Sequence, residues 1–189
     1  MIEIVEPKSS WPQEFIQVAT NLRSVVGTHA VRSDHIGSTA VPDLPAKDII
    51  DLQITVADLS DQTILGLLSD GGYRHREGIR HDLLVGLPDH SPELKKAYFR
   101  ERDGDPEIHL HVREAKRINQ EYPLLFRDFL RKNTEVRDAF GQIKRHLAEK
   151  FPNDIDAYYD IKDPYMDTIY YAAQLWKKIE KWTPDDANL

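Results

Sequence analysis

A Gly-Ser-Thr turn followed by an acidic strand is the feature of this sequence that most directly suggests catalysis or ligand binding. Gly37 has no side chain to keep a ligand away, and Ser38 and Thr39 add hydroxyls to the backbone N–H groups of the turn. Such turns bind phosphate oxygens. Asp51 follows on the next predicted strand, where its carboxylate could hold a magnesium ion that bridges triphosphate oxygens. The alternative is a plain tight turn with one exposed acid.

A second candidate set lies on a predicted strand in the middle of the chain. Its polar members are Glu107, His109, His111 and Arg113, and they alternate with aliphatic residues. Side chains two residues apart on a strand point the same way, about 7 Å apart. His109 and His111 are therefore compatible with one metal ion or one phosphate group between them. The alternative is a polar strand face in contact with solvent.

Alternating and helical patterns predict the elements that position these residues. We expect strands at 30–36 and 49–56, with Asp51 and Gln53 on the face opposite Ile50, Leu52 and Ile54. A hairpin is expected at 98–102 and 107–113 around an Asp-Gly-Asp-Pro turn. Helices are expected from 11 to Gly27 and from 58 to 70. Residues 2–5 could form an edge strand, and residues 83–85 another strand.

The second half of the sequence has helical periodicity. Helices are predicted at 123–132, from Asn133 or Thr134 to Pro152, and from Pro164 through Ile179, with a short helical turn at 155–159. Residues 183–189 are expected to be frayed. We therefore predict one domain over 1–189, with a sheet-containing core at 1–115 and a helical part at 122–182.

The composition excludes several classes of function. The formal net charge of −7 argues against binding of nucleic acid, which relies on clustered Lys and Arg. The absence of Cys excludes disulfides, thiolate catalysis and cysteine zinc sites. The N-terminus does not resemble a signal peptide, and no apolar stretch approaches membrane-spanning length. We expect a cytoplasmic protein without a membrane partner.

The longer sequence around the turn resembles a known family. His35-Ile36-Gly37-Ser38-Thr39-Ala40-Val41-Pro42, with Ala46-Lys47 and Ile49-Ile50-Asp51, is similar to the opening signature of the GrpB-like family, and His111 fits the most characteristic position of a His-Leu-His-Val pattern. The resemblance runs from Val5 to about Trp176. It implies a polymerase-beta-type nucleotidyltransferase fold, and similar domains occur fused to dephospho-coenzyme A kinases. The expected fold class is α/β (α+β), with a mixed, largely antiparallel sheet and a helical C-terminal half.

The resemblance also implies roles for individual residues. Asp51 would hold a divalent metal, magnesium or manganese, with help from Glu107, His109 or His111, and Asp51, Glu107 and Lys162 would be catalytic. The phosphates of a nucleoside triphosphate would be bound by Gly37, Ser38, Thr39, Lys47 and Arg100, and Arg127 is a less distinctive basic candidate. The expected reaction is nucleotidyl transfer to an unknown acceptor hydroxyl, and the expected partner is a small-molecule nucleotide.

One departure from the pattern leaves alternatives open. Related enzymes place two acids two residues apart, but here Gln53 follows Asp51, and an amide offers no charge to a second metal ion. The chain could therefore be a nucleotide- or metal-binding module without catalysis. A third possibility is a metal hydrolase that uses Asp51, His109 and His111 with zinc, iron or nickel. The acceptor, the nucleotide base, the metal and the oligomeric state stay open.

Overall fold

A five-stranded sheet with helices on both faces forms the frame of the protein in a computed structural model that describes residues 1–185. The strands are β1 (Arg32–Ile36), β2 (Ile50–Val56), β3 (Arg74–His75), β4 (Lys96–Arg100) and β5 (Ile108–Glu114). The helices are α1 (Trp11–Val26), α2 (Thr63–Asp70), α3 (Ile118–Lys132), α4 (Thr134–Lys150) and α5 (Ile155–Glu180). The expectation of a frayed tail falls partly on residues 186–189, which lie outside the described residues.

The strand order is β1-β2-β5-β4-β3. Only β2 and β5 pair in parallel, and the other three neighbouring pairs are antiparallel. The predicted fold class is confirmed, because this is a mixed, largely antiparallel sheet with a helical C-terminal half. None of the helices within residues 1–185 is long and apolar enough to cross a membrane.

The two faces of the sheet meet different helices. On one face, Ile50, Leu52 and Ile54 of β2 and the aliphatic residues of β5 pack against α1 and α2 in one core cluster. The polar face is covered by α3, α4 and α5, which form their own apolar cluster around Phe126 and Phe140. Because the helices contact the sheet only in part, they leave a cavity against its polar face.

Two predicted strands are absent from the described residues. Residues 2–5 form no strand, and Val5 makes only an isolated bridge to Ala46. Residues 83–85 lie in a loop, where Leu83 and Val85 are exposed. Long-range hydrogen bonds to side chains hold this loop instead: the Val85 N–H donates to the Asp167 carboxylate at 2.9 Å. A local apolar pattern cannot distinguish such a loop from a strand.

Two helices continue through prolines that were predicted to mark their starts. α3 begins at Ile118 and contains Pro123, and α5 is one helix of 26 residues that contains Pro164. A proline inside a helix loses one backbone hydrogen bond. In α5, Tyr158 before the proline and Ile169 and Tyr170 after it are all buried, so tertiary packing on both sides of Pro164 holds the helix together. The predicted hairpin is confirmed, but its strands are shifted and Glu107 precedes β5.

Candidate functional site

Strand register places the predicted site residues in rows across the polar face of the sheet. Asp51 of β2 lies opposite His109 of β5, and His109 lies opposite Arg100 of β4. Because β2 and β5 are parallel and adjacent, residues far apart in sequence become direct neighbours. The next row along the same face comprises Gln53, His111 and Tyr98.

The cavity beside these rows has a volume of about 740 Å³. Eight of the residues predicted from the sequence line it: Gly37, Ser38, Lys47, Asp51, Arg100, His109, His111 and Lys162. The turn after β1, three strands and α5 thus contribute to one space. The structure brings together the acid, the histidines and the Gly-Ser turn, as the expected site requires.

Gly37 lies directly against the Asp51 carboxylate. Its φ of 70° and ψ of −169° fall in a region that is essentially restricted to glycine. A Cβ at this position would lie 2.7 Å from both Cβ and Cγ of Asp51. Real side-chain atoms cannot approach that closely, so glycine is required here for two independent reasons. The turn is shaped to bring backbone next to the acid.

We expect Gly37→Ala to lower the free energy of unfolding by about 2–3 kcal/mol, because it adds backbone strain and a clash with Asp51. Urea denaturation of both proteins measures this change. Gly104→Ala is a matched control, since Gly104 also has a positive φ, 85°, but has open space around its Cβ position. The control should lower the free energy of unfolding by only about 1 kcal/mol. Equal costs for the two variants would contradict the close contact with Asp51.

Asp51 is partnered by His109. The Nδ1 of His109 lies 2.9 Å from Oδ1 of the carboxylate. Burial by itself raises the pKa of Asp51, but the His109 hydrogen bond and the charges of His109, Lys47 and His35 outweigh it and leave the pKa below its usual value. The carboxylate is thus ionised, and an ionised carboxylate can only accept. His109 therefore donates from Nδ1, which leaves its Nε2 available.

Two lysines of the predicted site, one expected to bind phosphate and one expected to be catalytic, converge on one tyrosine. Lys47 donates to the hydroxyl of Tyr159 at 2.5 Å, and its Nζ lies 4.8 Å from the ring centre. Lys162 lies on the same ring at 5.1 Å and donates to Asp163. Tyr159 therefore holds two cationic side chains at the cavity wall, where phosphate charge could be neutralised.

Lys144 also lines the cavity, although it is not among the residues predicted from the sequence. Its Nζ donates to the Ser38 hydroxyl at 2.7 Å, and the residue is only 3% exposed. A signal was present in the sequence. Lys144 follows Phe140 by four residues and precedes Ala148 by four, so helical periodicity places it on the buried stripe of α4. A lysine on such a stripe is unusual and marks a candidate site.

Two predicted residues do not line the cavity. Thr39 is buried on the other side of the turn, where its hydroxyl lies 3.0 Å from Nε2 of His35. The Glu107 side chain is 65% exposed and pairs with Arg100. Neither the role of Thr39 in phosphate binding nor the catalytic role of Glu107 is supported by these positions. Arg127 is likewise not among the residues that line the cavity; it is buried and donates to the backbone of β1.

The position two residues after Asp51 does not suit a metal ion. Gln53 is fully buried, and its amide is satisfied at both ends: Oε1 accepts from Arg113 at 2.8 Å, and Nε2 donates to the Gln120 carbonyl at 2.9 Å. Arg113 places a positive charge where a second ion would lie. A pair of metal ions held by the protein therefore does not fit these residues.

The surroundings of His111 also disfavour a metal ion. Arg113 can only donate, so Nδ1 of His111 accepts from its guanidinium at 3.1 Å. Burial, followed by the charges of Arg113 and Lys96, lowers the pKa of His111 well below its usual value. Within residues 1–185, no group of three or more His, Cys, Asp and Glu side chains could hold a metal ion. The geometry therefore does not favour the His-ligated hydrolase.

The cavity is cationic although the chain as a whole is acidic. Seven Lys and Arg residues line it against four Asp residues, whereas the formal net charge of the chain is −7. A concave site with this local excess of positive charge attracts anions. The arrangement can therefore hold a phosphorylated small molecule beside one ionised carboxylate.

Comparisons with known proteins agree on the family. Residues 1–172 match the GrpB protein family. The chain is 32% identical over 172 residues to UPF0157 protein BH1888 of Halalkalibacterium halodurans, which covers 91% of this chain and 82% of that protein. It is 31% identical over 203 residues to a dephospho-CoA kinase of Mycolicibacterium paratuberculosis. That match covers 97% of this chain but only 48% of the kinase, so the chain spans about half the length of this relative.

A solved structure has the same fold. The crystal structure of the conserved protein GrpB from Enterococcus faecalis is 27% identical, with a TM-score of 0.73, and the match covers 92% of this chain and 99% of that one. The family match over residues 1–172 includes the Gly-Ser turn, the strand that carries Asp51 and the His-Leu-His-Val strand. The chain belongs to the GrpB protein family.

Proposed function

We propose that the cavity binds a nucleoside triphosphate on a nucleotidyltransferase-type fold. The observation that carries this proposal is the convergence of the Gly37–Ser38 turn, the Asp51 carboxylate and three lysines, Lys47, Lys144 and Lys162, on one cavity. A turn without side-chain bulk gives phosphate oxygens access to backbone, and Lys47 and Lys162 offset their charge. The volume of about 740 Å³ lies within the range of small-molecule sites, roughly 300–1,000 Å³.

A divalent ion would enter with the nucleotide rather than reside in the protein. Magnesium is commonly held by one or two carboxylates together with substrate phosphates. Asp51 fits that role, because it is ionised and lies beside the turn that would hold the phosphates. When bound, magnesium or manganese would supply charge neutralisation on the phosphates. The proposed activity is nucleotidyl transfer to a hydroxyl group, and the proposed partner is a small-molecule nucleotide. A cytoplasmic location stays a prediction.

We expect the protein to bind a magnesium–nucleoside triphosphate complex, and Asp51→Ala to raise Kd at least about tenfold, a loss of about 1.4 kcal/mol. Isothermal titration calorimetry with each of the four ribonucleotides measures this. Asp48→Ala is a matched control, since Asp48 lies three residues earlier, is exposed and pairs with Lys8 outside the cavity. Its Kd should be unchanged. Absence of binding to the parent protein would remove the proposal.

A second candidate function is nucleotide binding without transfer. The neutral, fully hydrogen-bonded Gln53 beside Arg113 favours it, since this side chain leaves the site one carboxylate short. Both candidates share the binding step, so only turnover separates them. Release of pyrophosphate by the parent protein would exclude the binding module. Tight binding without release would exclude the transferase.

A further inference from the structure

The contact between Ser38 and Lys144 has a geometry that phosphate binding alone does not require. Ser38 is partly exposed at the cavity wall, and its Oγ lies 2.7 Å from Nζ of Lys144. A hydroxyl within hydrogen-bond distance of an amine is the arrangement in which the amine can take the hydroxyl proton. Serine activated by lysine is one of the known variants of the serine nucleophile.

The surroundings of Lys144 favour its neutral form. The residue is 3% exposed, and no carboxylate within residues 1–185 forms an ion pair with it. Burial, followed by the charge of Lys162, lowers the pKa of Lys144 to about 7, while Asp51 opposes the shift. A large fraction of this amine is therefore unprotonated near neutral pH, as a general base must be.

The neighbouring lysines differ from Lys144 in their contacts. Lys47 donates to the Tyr159 hydroxyl, and Lys162 donates to Asp163. Neither of these contacts is with a hydroxyl on the Gly-Ser turn. Two cations at the wall can therefore offset phosphate charge, while a third amine faces the serine. Lys47 and Lys162 are thus placed to neutralise phosphate charge, whereas Lys144 is placed to accept a proton.

We propose that Ser38 is a nucleophile, that Lys144 is its general base, and that the phosphoric anhydride of a nucleotide in this cavity is its substrate. This inference rests on the proposed function. Oγ of Ser38 forms a bond to the α-phosphorus, the bond from that phosphorus to the bridging oxygen breaks, and pyrophosphate leaves. The serine proton passes to Nζ of Lys144. The product is a nucleoside monophosphate ester of Ser38, so the first acceptor hydroxyl belongs to the chain itself.

The experiment uses two reagents on the full chain. One is each magnesium–ribonucleoside triphosphate, and the other is a fluorophosphonate, which reacts with an activated serine by loss of fluoride and does not depend on nucleotide binding. Intact-protein mass spectrometry and peptide mapping should find one adduct per chain, on Ser38. Ser38→Ala should abolish both adducts. Lys144→Met and Lys144→Arg should slow both reactions at least about 100-fold, the usual contribution of a general base.

Matched controls separate this role from a structural one. Lys150→Met removes a positive charge from the exposed C-terminal end of α4, which is not among the charges that shift the pKa of Lys144, and should leave both rates unchanged. Lys144→Arg retains the positive charge but cannot deprotonate. In the parent protein, the rate should rise about tenfold per pH unit below pH 7 and level off above it, and this rise should be absent from Lys144→Arg. The charged groups that face Nζ are Lys47, Lys162, Asp51 and Arg145.

The outcomes distinguish this inference from the proposed function. Nucleotide binding by calorimetry with no Ser38 adduct from either reagent would overturn the inference and leave the binding site in place. Fluorophosphonate labelling of Ser38 that depends on Lys144, without nucleotide binding, would support the nucleophile and overturn the nucleotide as its substrate. A rate that does not change with pH in the parent protein would overturn the role of Lys144 as a base.

Discussion

Asp82→Asn is expected to lower the free energy of unfolding by about 3–5 kcal/mol, because it leaves two buried cations without their counter-charge. The Asp82 carboxylate accepts from Arg113 at 2.9 and 3.1 Å and from Lys96 at 2.6 Å. The side chains of both cations are less than a tenth exposed. Asn119 donates to the same carboxylate at 3.0 Å. One acid thus joins a loop, two strands and α3.

Urea denaturation at neutral pH measures the change, and Asp103→Asn is the control. Asp103 pairs with Arg74, but its side chain is 93% exposed, so its replacement should change stability by less than about 1 kcal/mol. Burial alone raises the pKa of Asp82, yet Arg113 and Lys96 lower it far below the usual value. The group is therefore charged at neutral pH. A change below about 1 kcal/mol for Asp82→Asn would contradict this account of the cluster.

The Asp82 cluster also positions one wall of the cavity. The loop that carries Asp82 places Leu83 and Leu84 at the cavity. At its far end, Val85 is held by Asp167 of α5. Ion pairs and hydrogen bonds, together with one isolated bridge between His81 and Lys95, therefore fix this wall. Loss of Asp82 should weaken ligand binding as well as the fold, because the wall would no longer be anchored to β4 and β5.

The sequence alone predicted those features that depend on local pattern. Alternation on β2 placed Asp51 on the face opposite Ile50 and Leu52, and the structure has it there. Alternation on β5 likewise placed His109 and His111 on one face, although their roles in binding or catalysis stay predictions. Prediction of the Gly-Ser turn required only that residue 37 is a glycine, which has no side chain. Each of these inferences depends on residues within a few positions of one another.

Features that depend on contacts between distant segments could not be predicted in this way. The contact of Lys144 with Ser38 joins residues 106 positions apart, and the ion pair of Asp82 with Arg113 joins residues 31 positions apart. The loop at Asp82 has no periodic pattern, so it was assigned a strand at 83–85 from its aliphatic residues alone. The continuity of α5 through Pro164 likewise depends on packing against other helices.

Gln53 shows how a correct local inference was incomplete. The sequence indicated that an amide offers no charge to a second metal ion. It did not indicate that Arg113, two residues after His111, donates hydrogen bonds to the amide oxygen of Gln53 and to His111. The site therefore contains a neutral amide at this position and a cation hydrogen-bonded to it. Replacement of Gln53 by an acid would place the new negative charge against the Arg113 guanidinium. The charge would not be free in the cavity.

Two arginines of α3 donate hydrogen bonds to the backbone on either side of the Gly-Ser turn. Arg127 donates to the His35 carbonyl at 2.9 Å, just before the turn. Arg131 donates to the Ala40 carbonyl at 2.7 and 3.0 Å, just after it. The turn that carries Gly37 and Ser38 is therefore fixed at both ends by one helix. This structural role replaces the phosphate contact that the sequence suggested for Arg127.

Arg127→Met is expected to lower the free energy of unfolding by about 3–5 kcal/mol. Arg127 is 2% exposed and is also paired with Asp128 at 2.7 Å, so its loss leaves a buried acid short of charge and the His35 carbonyl without a donor. Urea denaturation measures the change, with Arg145→Met as the control in an exposed pair, expected below about 1 kcal/mol. Arg127 lies outside the cavity. Any weaker nucleotide binding by the folded fraction of the variant should therefore come only from a shift of the Gly37–Ser38 turn. Unchanged stability would show that Arg131 alone is sufficient to hold the segment.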